Sequence, residues 1–196
     1  MKLCVFQGTF NPIHNAHIRV ANFVAEKYDF DKILFIPAFQ PPHKELDLNL
    51  SQHRFNMVKL AISKNSKFDI SDIEFKRKGK SYTYLTICEL YKKFDIEGKI
   101  NFIIGTDAFE KIETWYKTNE LKKIVEFIVF IRGNDFDTSK LESLKNKGYV
   151  FKLDILPFED ISSTQLRYNV KNGKDIKTYT NKEVEEYIKK HGLYKS

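Results

Sequence analysis

Cysteine is scarce in this 196-residue chain, with Cys4 and Cys88 the two copies, too few for a disulfide framework. Cys4 falls in an apolar strand and Cys88 in a helical stretch, so both read as small core residues, as expected in a reducing cytoplasm. The start, MKLCVF, has one lysine and a short apolar run, below the roughly 7–15 residues of a signal-peptide core. No apolar stretch approaches the roughly 20 residues of a membrane span. The chain shows no low-complexity segment, internal repeat or linker, so residues 1–196 are expected to form one domain. Familiar nucleotide and zinc motifs are missing as well. KRKGKSYT (76–83) has the look of a P-loop end, but the pattern needs glycine at position 74, which is Glu. GxGxxG, HExxH and paired-cysteine motifs are all absent.

What is present is a globular composition, 42% hydrophobic and 14% aromatic, with 33 Lys plus Arg against 26 Asp plus Glu, a formal charge of +7. Such a balance favours anionic partners. A basic nucleic-acid-binding module would place cations and exposed aromatics along one face. Here Lys and Arg are scattered over the helices, as on a solvated surface, and no nucleic-acid or membrane partner is expected.

Short apolar runs recur at 3–6, 33–37, 100–104, 127–131 and 150–156, rich in the β-branched and aromatic residues that suit a parallel sheet covered on both faces. Helical spacing fills 16–28, 51–64, 83–94, 119–125, 137–146, 163–172 and 181–190, with Ser51 as N-cap of the second. This alternation predicts an α/β fold with a doubly wound, Rossmann-like parallel sheet and right-handed crossovers. Ligands of such folds bind beyond the carboxyl ends of the strands. Residues 38–50 form the longest irregular stretch and read as a functional loop.

Three motifs fall where ligands should bind. VFQGTFNPIHNAH (5–17) leaves a strand through a turn in which Gly8 allows close backbone approach and Pro12 adds stiffness. His14 and His17 share one face of the following helix, where imidazoles and free amides make a polyphosphate site. Two zinc ligands, or a pair of capping histidines, are the alternatives. FIIGTDAFEKIETWYK (102–117) ends a strand at Gly105 and puts Asp107 where it can accept bonds from ribose hydroxyls. Trp115 and Tyr116 follow. DISSTQLR (160–167) offers Ser162 or Ser163 as a helix cap, with Thr164 and Arg167 completing a second anion site. PPHK adds His43 and Lys44 on the long loop.

GTFNPIHNAH resembles the GxFxPxHxGH signature of the nucleotidyltransferase superfamily, and ISSTQLR resembles its second, ISSTxxR. PPHK, SDIEFKRKGKSYTYLT, FIIGTDAFEKIETWYK and YIKKHGLY narrow the likeness, which runs end to end, to the bacterial nicotinate-nucleotide adenylyltransferases. The resemblance implies a nucleotidyltransferase-type fold and a reaction joining the phosphate of nicotinate mononucleotide to the AMP part of ATP. It places Gly8, Thr9, Phe10, His14, His17, Gly105, Asp107, Ile161, Ser162, Ser163, Thr164 and Arg167 around ATP, with His14, His17 and Arg167 in the chemistry. It places Asn11, Lys44, Thr83, Asp107, Trp115 and Tyr116 around the mononucleotide, Trp115 stacking on the pyridine ring and amides near Thr83 and Tyr116 receiving the carboxylate. Mg²⁺ held mainly through the ATP phosphates would explain why no carboxylate cage is visible.

The chain departs from the pattern at Gln7, where a second glycine is usual, at Ala16 in place of the glycine of HxGH, and at Asn11 in place of aspartate. Asn11 and Asn15 are similar to the eukaryotic relatives, which also take the amide substrate. Nicotinamide mononucleotide is therefore the alternative acceptor, and pantetheine phosphate a more distant one that the Trp115 segment disfavours. A homo-oligomer is compatible with all of this.

Overall fold

The structure, a computed structural model, describes residues 1–42, 47–131, 138–156 and 161–195. Its first strand, β1 (Leu3–Gly8), leads into α1 (Asn15–Lys27), β2 (Lys32–Pro37), α2 (Leu50–Ile62), β3 (Phe68–Ile70), α3 (Ile73–Arg77) and α4 (Thr83–Lys93). The second half runs β4 (Ile100–Gly105), α5 (Thr106–Phe109), a 3₁₀ turn (Ile112–Thr114), α6 (Thr118–Ile124), β5 (Val125–Ile131), α7 (Thr138–Asn146), β6 (Phe151–Ile155), α8 (Ser163–Lys171) and α9 (Lys182–Lys190). The strands form one parallel sheet in the order β3-β2-β1-β4-β5-β6.

Helices cover both faces, and side-chain alternation sorts each strand between them. Cys4, Phe6, Ile33, Phe35, Ile103, Ile128 and Phe130 join one core with Ala21 and Val24 of α1, Met57 and Val58 of α2, Leu166 of α8 and Val184 of α9. Leu3, Val5, Leu34, Ile36, Phe102, Ile104, Phe127 and Val129 join the other with Ile87 and Leu90 of α4, Leu121 of α6 and Leu141 of α7. At the edge, buried Asp154 of β6 accepts from Tyr28 Oη at 2.7 Å and pairs with Lys27. Burial, then the bond to this carboxylate, pushes the Tyr28 phenol's pKa up.

The order in which strands are added reverses between β1 and β4, outward to β3 on one side and to β6 on the other, the point at which an open α/β sheet opens a crevice. β1 pairs with β2 along six residues but with β4 only at Cys4–Asn101 and Val5–Phe102. Past Val5 the two central strands separate.

Differences from the sequence reading are local. β3, α3, α5 and the 3₁₀ turn lie outside the expected elements, because three- to five-residue elements show no measurable period. α2 starts at Leu50, so Ser51 lies inside it and donates to the Leu48 carbonyl at 2.6 Å, while Asn49 takes the N-cap position. On that helix Arg54, Met57, Val58 and Ile62 are buried, and Phe55 packs at the margin on Phe75. Among the described residues no helix is long and apolar enough to cross a membrane.

Ile128, fully buried in β5, should lose about 2–5 kcal/mol of stability on replacement by Ala, read by urea unfolding. A loss under about 1 kcal/mol would contradict the packing described.

Candidate active site

A cleft of about 800 Å³ opens where β1 and β4 separate. Phe6, Gln7 and Gly8 form one side of its floor and Phe102, Ile103, Ile104 and Gly105 the other. Because a parallel sheet starts its helices at the strands' carboxyl ends, helix N-termini gather around it. Lining residues include His14, Ala16 and His17 at the start of α1, Tyr82 and Thr83 at α4, Gly105 and Asp107 at α5, and Ser162, Ser163 and Thr164 at α8. Helix N-termini carry a partial positive charge, so the cleft attracts anions before any side chain is counted.

The loop after β1 has an unusual support. Five of the six carbonyls from Gly8 to Ile13 are taken by donors from elsewhere in the chain: Gly8 by Ala38 N–H at 2.8 Å, Thr9 by Arg54 at 2.7 Å, Asn11 by Arg167 at 2.8 Å, Pro12 by Ser163 Oγ at 2.9 Å and Ile13 by Thr180 Oγ1 at 3.4 Å. In a trans peptide the N–H points opposite to the carbonyl. With the Thr9 carbonyl turned onto buried Arg54, the Phe10 N–H points away from that side chain, and Thr9 and Phe10 both line the cleft. Arg54 also donates to the Ala38 and Phe39 carbonyls at 2.6 and 3.0 Å, joining this loop to the one after β2. Burial pulls the guanidinium's pKa down, against the attraction of Tyr194 and Glu74.

Gly8 does permit a close approach, though by the chain's own Phe10. A Cβ at position 8 would stand 3.0 Å from the tip of the Phe10 ring. That ring is 2% exposed and held by Phe6, Phe35 and His17, and its backbone has φ 47°. Phe10 is thus a core side chain whose backbone borders the cleft.

His14 is the N-cap of α1, and its backbone N–H donates to Nδ1 of His17, three residues on, at 3.2 Å. The bond leaves the proton of neutral His17 on Nε2, so this ring presents a donor from its far side. The two imidazoles lie with centroids 3.7 Å apart, and the Phe10 ring meets His17 edge-on at 5.1 Å.

The opposite wall carries Asp107, exposed, and Trp115, half-buried, with Phe102 edge-on to the indole at 6.1 Å. Thr83 and Tyr116 complete it, and Tyr82 and Tyr116 stack at 4.7 Å. Gln7 faces this side, anchored by Nε2 on Glu74 at 2.6 Å. Glu74 is 1% exposed and also accepts from Thr86 Oγ1 at 2.6 Å and Phe39 N–H at 3.2 Å, with Arg77 at 3.6 Å. The residue that breaks the P-loop pattern is therefore the carboxylate that ties β1, the β2 loop, α3 and α4 together.

In the late motif, Ser162 caps α8 by accepting from Gln165 N–H at 3.1 Å, while Ser163 turns to the Pro12 carbonyl. Ile161, Ser162, Ser163 and Thr164 line the cleft. Arg167 and Asn11 do not; they stand behind its wall, bonded to each other, with Arg167 also donating to Thr164 Oγ1 at 3.4 Å. Lys44 and His43 lie outside the described residues. Arg54, Glu74 and Tyr194, whose phenol donates to Asn11 Oδ1 at 2.7 Å, are the structural members of the site that sequence reasoning missed. Arg54 left a faint sign, as a charged side chain one turn before Val58 on the interior face of its helix, whereas Glu74, in a helix of five residues, left none.

Comparison with known proteins agrees with this geometry. The cytidylyltransferase-like family model matches residues 5–169. The chain is 40% identical to a probable nicotinate-nucleotide adenylyltransferase of Clostridium tetani, over 99% of each chain. A probable nicotinate-nucleotide adenylyltransferase of Staphylococcus epidermidis is also 40% identical, over 98% of this chain and 97% of the relative. The chain belongs to the nicotinate-nucleotide adenylyltransferase family. Among solved structures, Plasmodium falciparum nicotinic acid mononucleotide adenylyltransferase complexed with NaAD superposes with a TM-score of 0.78 and 25% identity, covering 98% of this chain and 97% of that one. The family's two signatures, far apart in sequence, are the segments that meet across residues 9–13 and 161–167.

Gly8→Ala forces the new methyl group against a ring with no room to yield. It should cost about 1–3 kcal/mol of stability, read by thermal unfolding, and lower turnover as well. Unchanged melting would mean that Phe10 can move aside.

Proposed function

We propose that this chain transfers the adenylyl group of ATP to the phosphate of nicotinate mononucleotide, giving deamido-NAD and pyrophosphate. The observation that carries the reading is the bonding of Ser163 and Arg167 to the Pro12 and Asn11 carbonyls, which makes the two signatures one cradle of helix N-termini, amides and imidazoles.

A phosphate oxygen of the mononucleotide attacks the α-phosphorus of ATP, and the bond from that phosphorus to the bridging oxygen of the β-phosphate breaks. The attacker is already an anion, so the site needs neither a serine nucleophile nor a strong base. Its work is to bring two anions together and to stabilise charge on the departing pyrophosphate. His14, Nε2 of His17 and the Phe10 N–H would hold the triphosphate from one side, with the N-terminus of α8 on the other. Asp107 would accept from a ribose, and the exposed part of Trp115 offers a flat surface to the pyridine ring.

Asn11 and Asn15, the residues that raised the amide substrate, are both bonded within the protein: Asn11 to Tyr194, and Asn15 Nδ2 to the Thr178 carbonyl at 3.0 Å. For magnesium, no group of three or more His, Cys, Asp or Glu converges among the described residues, and Asp107 is the one carboxylate among those lining the cleft. This donor set suits a hydrated ion that arrives on phosphate oxygens. Bound so, the ion neutralises phosphate charge.

Incubation with Mg²⁺-ATP and either mononucleotide should release pyrophosphate and dinucleotide in equal amounts, faster with the nicotinate form, without adenylylated enzyme. No pyrophosphate with either acceptor would refute the reading. His17→Ala should leave the protein folded and reduce kcat/KM by about 10²–10³-fold, the scale of one preorganised donor. Near-normal turnover would show that His17 is not a phosphate-holding donor.

A further inference from the structure

The far end of the chain returns to the loop on which this reading rests. After α9 it turns through Gly192, with φ 61°, and Leu193, whose N–H closes on the Ile188 carbonyl at 3.1 Å. Tyr194 follows with φ 64°, a left-handed conformation that a tyrosine seldom adopts and that needs tertiary contacts to hold it. Those contacts are present. The ring packs against the first core, next to buried Leu193, and the hydroxyl donates to Asn11 Oδ1 at 2.7 Å.

The surroundings of the phenol show what the contact does. Burial raises its pKa, and the positive charges of Arg167 and Arg54 act in the opposite direction. These are the two arginines that hold the Asn11 and Thr9 carbonyls. One corner of the loop is thus gripped through both its groups, the Asn11 carbonyl by Arg167 and the Asn11 side chain by Tyr194. Three residues further on stands His14. A donor on Oδ1 also settles the orientation of the Asn11 amide, which could otherwise rotate with the loop.

We propose that Tyr194 is a positioning residue for the adenylyl transfer, a latch by which the chain's C-terminal segment sets the Asn11–His14 corner for phosphate binding. The latch rests on the function proposed above, since it acts through the loop assigned there to ATP.

Tyr194→Phe keeps the ring and removes the bond. KM for ATP should rise about 3- to 10-fold, the range one neutral hydrogen bond commands, with kcat within about 2-fold and the melting temperature nearly unchanged. Asn11→Ala should raise KM for ATP similarly, and the double variant should be no worse than the weaker single one, because both remove the same contact. An unchanged KM in Tyr194→Phe, or losses that multiply in the double variant, would overturn the latch. Should Tyr194→Phe fail to fold, Asn11→Ala compared with Asn11→Asp reads the contact from the other side, since the carboxylate still accepts from the phenol and should restore ATP affinity. Direct titration with ATP separates the two proposals. A wild-type protein that binds ATP but adenylylates neither mononucleotide refutes the function, whereas equal ATP affinity in wild type and Tyr194→Phe refutes the latch alone.

Discussion

Between Gly8 and Ile13 the backbone leaves the sheet, and its carbonyls accept from Ala38, Arg54, Arg167, Ser163 and Thr180. A strand end normally gives up its partners to solvent. Here β2, α2, α8 and the segment before α9 supply them, so a turn that would otherwise be mobile is held from outside. Orientation follows from the covalent geometry of the peptide: at the trans Thr9–Phe10 bond, a carbonyl drawn to Arg54 turns the Phe10 N–H the opposite way. Removing that constraint would leave the helix N-termini in place but take away the ordered floor between them.

The charge of +7 acts at longer range. Few full charges line the cleft itself: Lys111 and Asp107 do, beside the paired imidazoles. Positive potential toward the cleft instead comes from aligned peptide dipoles at α1, α4 and α8, with buried Arg54 and half-buried Arg167 acting on the backbone. Fixed dipoles need not reorganise when charge moves from the α-phosphate to the leaving pyrophosphate, which is the property a direct transfer requires. The buried Glu74 is compatible with this because four neighbours, Gln7, Thr86, Phe39 and Arg77, satisfy it away from the ligand side.

Roles shifted between reading and structure in a consistent way. Gly8 makes room for Phe10, Ser163 braces Pro12 and lets Ser162 do the capping, and Asn11 belongs to the scaffold behind the wall. In each case the residue type was recognised as special, and the structure adds a partner within the protein. Polar side chains beside a ligand site can serve the ligand or the backbone that faces it, and the residue type is the same for both.

The sequence by itself determined the α/β alternation, the five longer strands, the end of the sheet at which the cleft opens, and the residues of the two signatures. These are local matters, since burial on both faces writes a continuous apolar run and a capped helix writes its own start. Only the tertiary structure decided that Arg54 and Glu74 are buried hubs, that β3 completes the sheet, and that Ser163 reaches Pro12 across 151 positions. Hydrophobic period reports which face of an element is covered but not what covers it. A hydrogen bond between distant residues depends on where the sheet has carried both ends.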